Sequence, residues 1–221
     1  MKKLGVVTIG QAPRVDVIPE IRTILGEDVK IIEKGALDGL TLEEVRKFYP
    51  EQDDEVLVTR MADGTSVTIA ERYVYPRLQD KVKSLEREGV RAVLIACTGE
   101  FPPFDSSLLI VYPQKVLYHV VLSLGEGSKL GVLIPDELQV DSTQRRWSRT
   151  AREVVVEAAS PYGELQEIEV ASKLLSRSSV DLVVMDCIGY TMEMKELVST
   201  HLGKPVLLAR SIAAKVASEL L

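Results

Sequence analysis

Two cysteines are the residues of this chain whose type and setting could do chemistry. Cys97 directly follows the apolar run Ala92–Ala96, and Cys187 comes two residues after the run Leu182–Met185 ends. A cysteine at the end of a buried strand, beside the N-terminus of the next helix, can be present as a thiolate. A thiolate there can accept a proton and then return it. A lone cysteine in such a place is most often inert packing. The pair favours function, because both precede a glycine by two residues.

The residues that follow each cysteine have polar groups suited to a small carboxylate. A threonine hydroxyl and an unshielded glycine N–H after each thiol would serve as donors, and the alternative for Thr191 is the N-cap of a helix. The candidate binding residues here are Thr98, Gly99, Gly189, Tyr190 and Thr191.

The loop after the first strand is a second candidate for substrate binding. Thr8 supplies a hydroxyl, Gly10 allows close approach of the backbone, and Gln11 supplies an amide. Arg14 offers a planar fork that suits a carboxylate, while Asp16 reads as the N-cap of the next helix. The loop has neither a GxGxxG nor a Walker pattern, which weakens a nucleotide interpretation.

Short runs rich in Val, Ile and Leu alternate with helical patterns, so the fold class is α/β with parallel sheets flanked by helices. The carboxyl ends of parallel strands share one edge, which brings the loops named above together in each sheet. The strands are predicted at Leu4–Ile9, Val29–Glu33, Glu55–Thr59, Ala92–Ala96, Leu108–Val111, Leu130–Ile134, Val154–Ala158, Leu182–Met185 and Val206–Leu208.

An internal repeat divides the chain into two similar lobes. The sequence KLGVV at Lys3–Val7 returns as KLGVL at Lys129–Leu133, and each lobe later reaches a strand that ends in Cys-x-Gly. The Gly- and Ser-containing run Gly125–Ser128 is the expected boundary. We therefore predict lobes at residues 1–124 and 129–221, with the C-terminal helix free to cross over.

Three local features are ambiguous. Asp63-Gly64 between apolar runs predicts a hairpin, favoured as an edge hairpin over a flap. Pro76 lies within a helical pattern at 71–88 and should kink that helix or mark its first turn. The arginines between residues 145 and 152 are expected to form a solvated helix face.

Composition excludes several classes of function. The 221 residues carry a formal net charge of -6, whereas nucleic-acid binding needs a concentrated basic face. Two cysteines cannot form a disulfide scaffold, and neither His119 nor His201 has a partner at metal-ligand spacing. We find no signal peptide and no apolar membrane span. We expect a cytoplasmic protein with reduced thiols, no cofactor and no metal. A homodimer is one possible assembly.

Three motifs together give the chain a family resemblance. TIGQAPR followed by Asp16, ACTGEF around Cys97 and MDCIGYT around Cys187 resemble the AroM family, within the aspartate/glutamate/hydantoin racemase superfamily. The resemblance implies two similar lobes related by a pseudo-twofold axis, with one cysteine from each on either side of the substrate's α-carbon. It implies that Cys97 and Cys187 are the two acid/base groups.

The resemblance leaves more than one function open. The first hypothesis is a cofactor-independent racemase or isomerase acting on a small carboxylate through both cysteines, since inversion needs a proton carrier on each face. The second is a non-catalytic protein that binds or senses a small molecule. A decarboxylase or lyase that uses one cysteine stands between them. The superfamily's racemases have Asn-Thr after the first cysteine, where this chain has Thr98-Gly99, so we expect carboxylate recognition to differ.

Overall fold

The computed structural model describes residues 2–124 and 127–221. The chain divides into two compact units, Met1–Pro113 with Ala213–Leu221 and Gln114–Ile212. The first two residues of the predicted boundary, Gly125 and Glu126, lie outside the described residues. Each unit is built around its own parallel sheet.

The described part of the first unit holds a four-stranded parallel sheet in the order β2-β1-β5-β6. A separate antiparallel pair, β3 and β4, lies between β2 and β5 in the chain. The elements are β1 (Lys2–Thr8), α1 (Ile18–Leu25), β2 (Val29–Gly35), α2 (Leu42–Arg46), β3 (Val56–Arg60), β4 (Ser66–Ala70), α3 (Glu71–Arg87), β5 (Ala92–Ala96), β6 (Leu109–Val111) and α4 (Pro113–Leu124), which continues into the second unit.

The second unit repeats the strand order of the four-stranded parallel sheet. Within the described residues its parallel sheet has the order β8-β7-β9-β10, so β7 takes the central place of β1 and β9 takes that of β5. The elements are β7 (Lys129–Ile134), a 3-10 turn (Glu137–Gln139), α5 (Val140–Trp147), β8 (Glu153–Ala158), α6 (Leu165–Arg177), β9 (Leu182–Met185), α7 (Met192–Leu202), β10 (Val206–Leu208) and α8 (Ala209–Glu219), which belongs to the first unit from Ala213 onward.

The register of the central strands is the same in both units. Gly5 of β1 lies opposite Val93 of β5, and Gly131 of β7 lies opposite Val183 of β9. Both glycines let a helix approach closely: a Cβ added at Gly5 would stand 2.7 Å from a methyl of Leu85 in α3, and the equivalent atom at Gly131 would press on α6. The KLGV repeat thus encodes the same strand–helix contact twice.

The strands next to the centre are apolar because helices cover both faces of each sheet. Every residue of β5 and of β9 is buried. The predicted parallel α/β class is confirmed, and the predicted strands are all present with ends that shift by at most two residues. Among the described residues, none of the helices is both long and apolar enough to cross a membrane.

One local expectation is wrong, and one of two alternatives for Pro76 is excluded. The hairpin around Gly64 is a two-stranded sheet of its own and pairs with neither edge of the four-stranded sheet. Arg60, the last residue of β3, instead accepts the amide N–H of Gln11 in the loop after β1. The helix α3 begins at Glu71 and passes through Pro76, so the proline does not mark its first turn.

Candidate active site

The two thiols occupy equivalent positions in the two units. Val93 lies opposite Gly5 of β1, and Val183 lies opposite the equivalent Gly131 of β7. Cys97 comes four residues after Val93, and Cys187 comes four residues after Val183. Each cysteine therefore emerges at the carboxyl end of the strand beside the centre of its sheet. This is the edge where ligands bind in parallel α/β sheets.

The Cys97 turn is compact and half-buried. The amide N–H of Gly99 donates a hydrogen bond to Cys97 Sγ at 3.2 Å. A Cβ at position 99 would stand 2.6 Å from Leu57 Cδ2 and 3.2 Å from the ring of Phe101. Thr98, between them, is buried. Glycine is needed here because the hairpin and the following aromatic loop close on this turn.

The Cys187 turn has the same hydrogen bond. Gly189 donates its amide N–H to Cys187 Sγ at 3.3 Å, and Cys187 is 8% exposed. A Cβ at position 189 would stand 2.7 Å from the hydroxyl of Tyr162 and 2.8 Å from Pro161. Different neighbours thus impose the same glycine in the two units.

An amide N–H donated to sulfur has a definite chemical effect. It favours the thiolate over the thiol, because the partial positive charge on hydrogen meets the charge that deprotonation creates. Both cysteines receive this donor from the residue two places along. The arrangement can supply two thiols that release and recover protons.

Asp186, next to the second thiol, is held by α5. Its carboxylate accepts hydrogen bonds from Trp147 Nε1 at 2.8 Å and Arg146 Nη2 at 2.6 Å. Asp186 and Trp147 are buried and Arg146 is nearly so. The expectation that the arginine cluster is wholly solvated is therefore wrong for Arg146, whose charge neutralises a buried carboxylate. Sequence spacing gives no sign of this pairing, since the partners are some 40 residues apart.

Tyr190 and Thr191 have structural partners. Tyr190 is fully buried and its hydroxyl donates to the carbonyl of Ala159 at 2.7 Å. Burial, followed by the charges of Cys187 and Asp186, raises the pKa of Tyr190 well above its ordinary value. Thr191 accepts a hydrogen bond from the amide of Met194 as the N-cap of α7. The N-cap alternative for Thr191 is thus present.

Arg14 is engaged within the first unit. Its Nε and Nη2 bond to the two carboxylate oxygens of Asp16 at 2.8 and 2.7 Å, while Nη1 donates to the hydroxyls of Thr8 and Thr59 at 3.0 and 3.3 Å. Arg14 is 4% exposed. The prediction that Asp16 caps α1 is wrong: Val17 is the N-cap, without a side-chain bond, because the carboxylate faces the guanidinium instead.

Gln11 and Gly10 tie the same loop to its neighbours. The Gln11 amide nitrogen donates to the carbonyls of Leu37 and Leu40, and its oxygen accepts the N–H of Ala62 in the hairpin turn. A side chain at Gly10 would collide with the backbone of Arg60. The structure therefore brings Thr8, Gly10, Gln11 and Arg14 together, with bonds to the protein.

Two cavities have linings that include neither cysteine. A cleft of about 160 Å³ separates the first loop from the hairpin turn and is lined by Arg14, Arg60 and Asp63 among others, without Cys97. A larger one of about 460 Å³ lies along α6 and is lined by Val170 and Leu174. Among the described residues, no cluster of three or more His, Cys, Asp or Glu side chains could hold a metal ion.

Comparison with known families decides the assignment. The family model described as AroM protein matches residues 4–221. The chain belongs to the AroM family. No curated protein matches its sequence.

Solved structures show the fold that the AroM chain shares. Unliganded arylmalonate decarboxylase matches with 12% identity and a TM-score of 0.65, over 100% of this chain and 92% of its own. An aspartate racemase homologue from Pyrococcus horikoshii matches with 16% identity and a TM-score of 0.62, over 100% and 99%. Glutamate racemase from Francisella tularensis, in complex with D-glutamate, matches with 15% identity and a TM-score of 0.62, over 100% and 81%. The AroM chain therefore has the fold of the aspartate/glutamate racemase superfamily.

Proposed function

We propose that this AroM-family protein is a cofactor-independent racemase or isomerase that acts on a small carboxylate, with Cys97 and Cys187 as its two acid/base groups. The observation that carries the proposal is the repeated N–H···S bond. Gly99 donates to the first sulfur at 3.2 Å and Gly189 donates to the second at 3.3 Å, at equivalent strand ends. A duplicated fold that keeps the thiol and its donor in both copies supports a use for both.

The chemistry needs one proton carrier for each face of a carbon. One thiolate removes the α-proton, which leaves a carbanion stabilised by the adjacent carboxyl group, and the other thiol delivers a proton to the opposite face. The second thiol then becomes the thiolate, so the reverse reaction uses the same groups with their roles exchanged. The residue that we assign to the substrate carboxylate is Thr98, through its hydroxyl group, since the Gly99 N–H already bonds to Cys97 Sγ.

Solvent deuterium incorporation tests the proposal. Each enantiomer of a panel of amino acids and hydroxy acids is incubated with the protein in D₂O, and the α-position is followed by NMR and chiral chromatography. The wild type should exchange and invert at least one substrate. Cys97→Ser and Cys187→Ser should each abolish inversion, and either can keep one-sided exchange from its intact thiol. Ser179→Gly, in the turn before β9 and so at the opposite end of that strand from Cys187, is the control and should keep full activity.

The other hypotheses predict different results. A one-cysteine decarboxylase would release CO₂ from a dicarboxylate and would depend on only one of the two residues. A binding protein would exchange no α-proton while a carboxylate still protected its thiols from alkylation. A double Cys→Ala variant with unchanged exchange and inversion would overturn the proposal.

A further inference from the structure

Arg210 is a buried cation on the turn that follows Cys187. Its guanidinium donates from Nε to the carbonyl of Ile188 and from Nη2 to the carbonyl of Gly189, both at 2.9 Å. The side chain is almost fully buried, with 1% exposure. No motif in the sequence marks this arginine.

The topology explains why this arginine reaches the thiol turn. The strand β10 lies beside β9, and α8 begins directly after β10. Arg210 is the second residue of α8. Its side chain therefore starts at the carboxyl edge of the sheet, one strand away from the end of β9 that precedes Cys187.

The bond to Ile188 bears directly on the sulfur. The carbonyl of Ile188 and the amide N–H of Gly189 belong to one peptide group, and in a trans peptide these two groups point in opposite directions. Arg210 holds the oxygen side of this plane, and Cys187 Sγ receives the N–H on the other side at 3.3 Å. Rotation of the peptide would break both bonds together.

We propose that Arg210 is the positioning residue of Cys187: it fixes the Ile188–Gly189 peptide so that its N–H points at the sulfur. The inference deepens the proposed function, which makes Cys187 an acid/base group. The second carbonyl bond, to Gly189, holds the next peptide as well. The turn is thereby locked at two successive peptide groups.

Other ionisable groups surround the same turn. Asp186 precedes the thiol and is paired with Arg146 of α5. The neutral phenol of Tyr190 comes next in the chain, and the hydroxyl of Tyr162 lies beside Gly189. None of these groups is substituted in an Arg210 variant. Their contribution to the reactivity of Cys187 is therefore common to wild type and variant, and the difference between the two reports the contribution of Arg210.

The test measures the reactivity of each thiol separately. Wild type, R210M, R210Q and R210K are pulsed with iodoacetamide between pH 6 and 10, and mass spectrometry of peptides gives the alkylation rate of Cys187 and of Cys97. The midpoint of each pH profile gives the pKa of that thiol. The plateau rate at high pH reports how readily iodoacetamide reaches the sulfur. In R210M the Cys187 midpoint should rise, with about a ten-fold lower rate at pH 7, since one hydrogen bond to a charged group is lost. Cys97 serves as the internal control and should keep its profile.

The conservative variants separate charge from hydrogen bonding. R210K keeps a cation that can reach one carbonyl, and R210Q keeps one neutral donor, so both should give midpoints between wild type and R210M. An R210Q midpoint equal to that of R210M would mean that the charge of Arg210, and not its hold on the peptide, favours the thiolate. The fluorescence of buried Trp147 shows whether R210M folds. If R210M does not fold, R210K and R210Q take its place in the test. An unchanged Cys187 midpoint in the folded variants, with only a changed plateau, would overturn the proposal, as would an equal shift at Cys97. The readout needs no substrate, so it is independent of whether the protein exchanges α-protons.

Discussion

Ser179 occupies in the second unit the place that Gly89 occupies in the first. Both residues follow a helix that packs on the central strand, and both have a positive φ, 54° at Ser179 and 69° at Gly89. A buried valine comes next in each case, followed by an amide that donates at 2.8 Å to the first residue of the KLGV repeat, Lys3 or Lys129. The same left-handed turn therefore carries a glycine once and a side chain once.

This relationship predicts that Ser179→Gly stabilises the second unit. The left-handed conformation costs a residue with a side chain about 1–2 kcal/mol, and glycine's larger loss of chain entropy offsets part of that gain. We expect a net gain of about 0.5–1 kcal/mol, measured by urea unfolding followed through Trp147, the single tryptophan. The reciprocal Gly89→Ser should destabilise the first unit. A less stable S179G would contradict the assignment of strain to this turn.

Gly99→Ala should impair Cys97 more than it impairs folding. The added methyl would stand 2.6 Å from Leu57 Cδ2, and the turn must move the Gly99 amide away from the sulfur or displace the leucine. We expect slower alkylation of Cys97 at pH 7, with Cys187 unaffected. The double variant Gly99→Ala/Leu57→Ala restores the space and should recover the reactivity. Failure of this second-site rescue would mean that Leu57 is not the obstacle.

Arg14 should prove necessary for stability. Its guanidinium bonds to Asp16, Thr8 and Thr59, and removal of one member of a buried ion pair costs about 3–5 kcal/mol. Arg14→Met should lower the free energy of unfolding by that order, measured by calorimetry, and Asp16→Asn should lower it less because the hydroxyl bonds remain. If stability were unchanged and carboxylate affinity fell, the clamp that the sequence predicted would be correct.

Glu71, at the start of α3, should make stability fall as the pH rises. Burial, together with the nearby charge of Glu55, raises its pKa above the ordinary value of 4.5. The folded state therefore holds this proton more tightly than the unfolded state, and stability is lost from about pH 4.5 upward through the folded pKa. Glu71→Gln should be more stable than wild type at pH 7, by on the order of 0.5 kcal/mol because the site is half-exposed, and equal to it below pH 4. Glu43→Gln, at an exposed position, is the control. A stability difference between Glu71→Gln and wild type that persists at pH 4 would contradict the link to Glu71 protonation.

Periodicity and repetition in the sequence were enough to predict the parallel sheets. The runs that became β5 and β9 are apolar throughout because both faces are covered, and KLGV appears twice because each copy packs its glycine against a helix. The positions of Cys97 and Cys187 at strand ends follow from the same local pattern. Local sequence carries this information because strand, turn and helix signals act over a few neighbouring residues.

Long-range contacts decided what the sequence left open. Arg14 looked like a ligand clamp from its type and loop, and only the packing of β3 shows Thr59 beside it. The roles of Arg146 and Arg210 depend on partners 40 and 22 residues away. A buried guanidinium takes whichever oxygen atoms the fold brings within about 3 Å. The separation of two residues along the chain does not encode that distance. Residue type and spacing therefore located the two thiols, whereas only the tertiary structure shows that Arg210 bonds to the turn after Cys187 and that Arg146 pairs with Asp186.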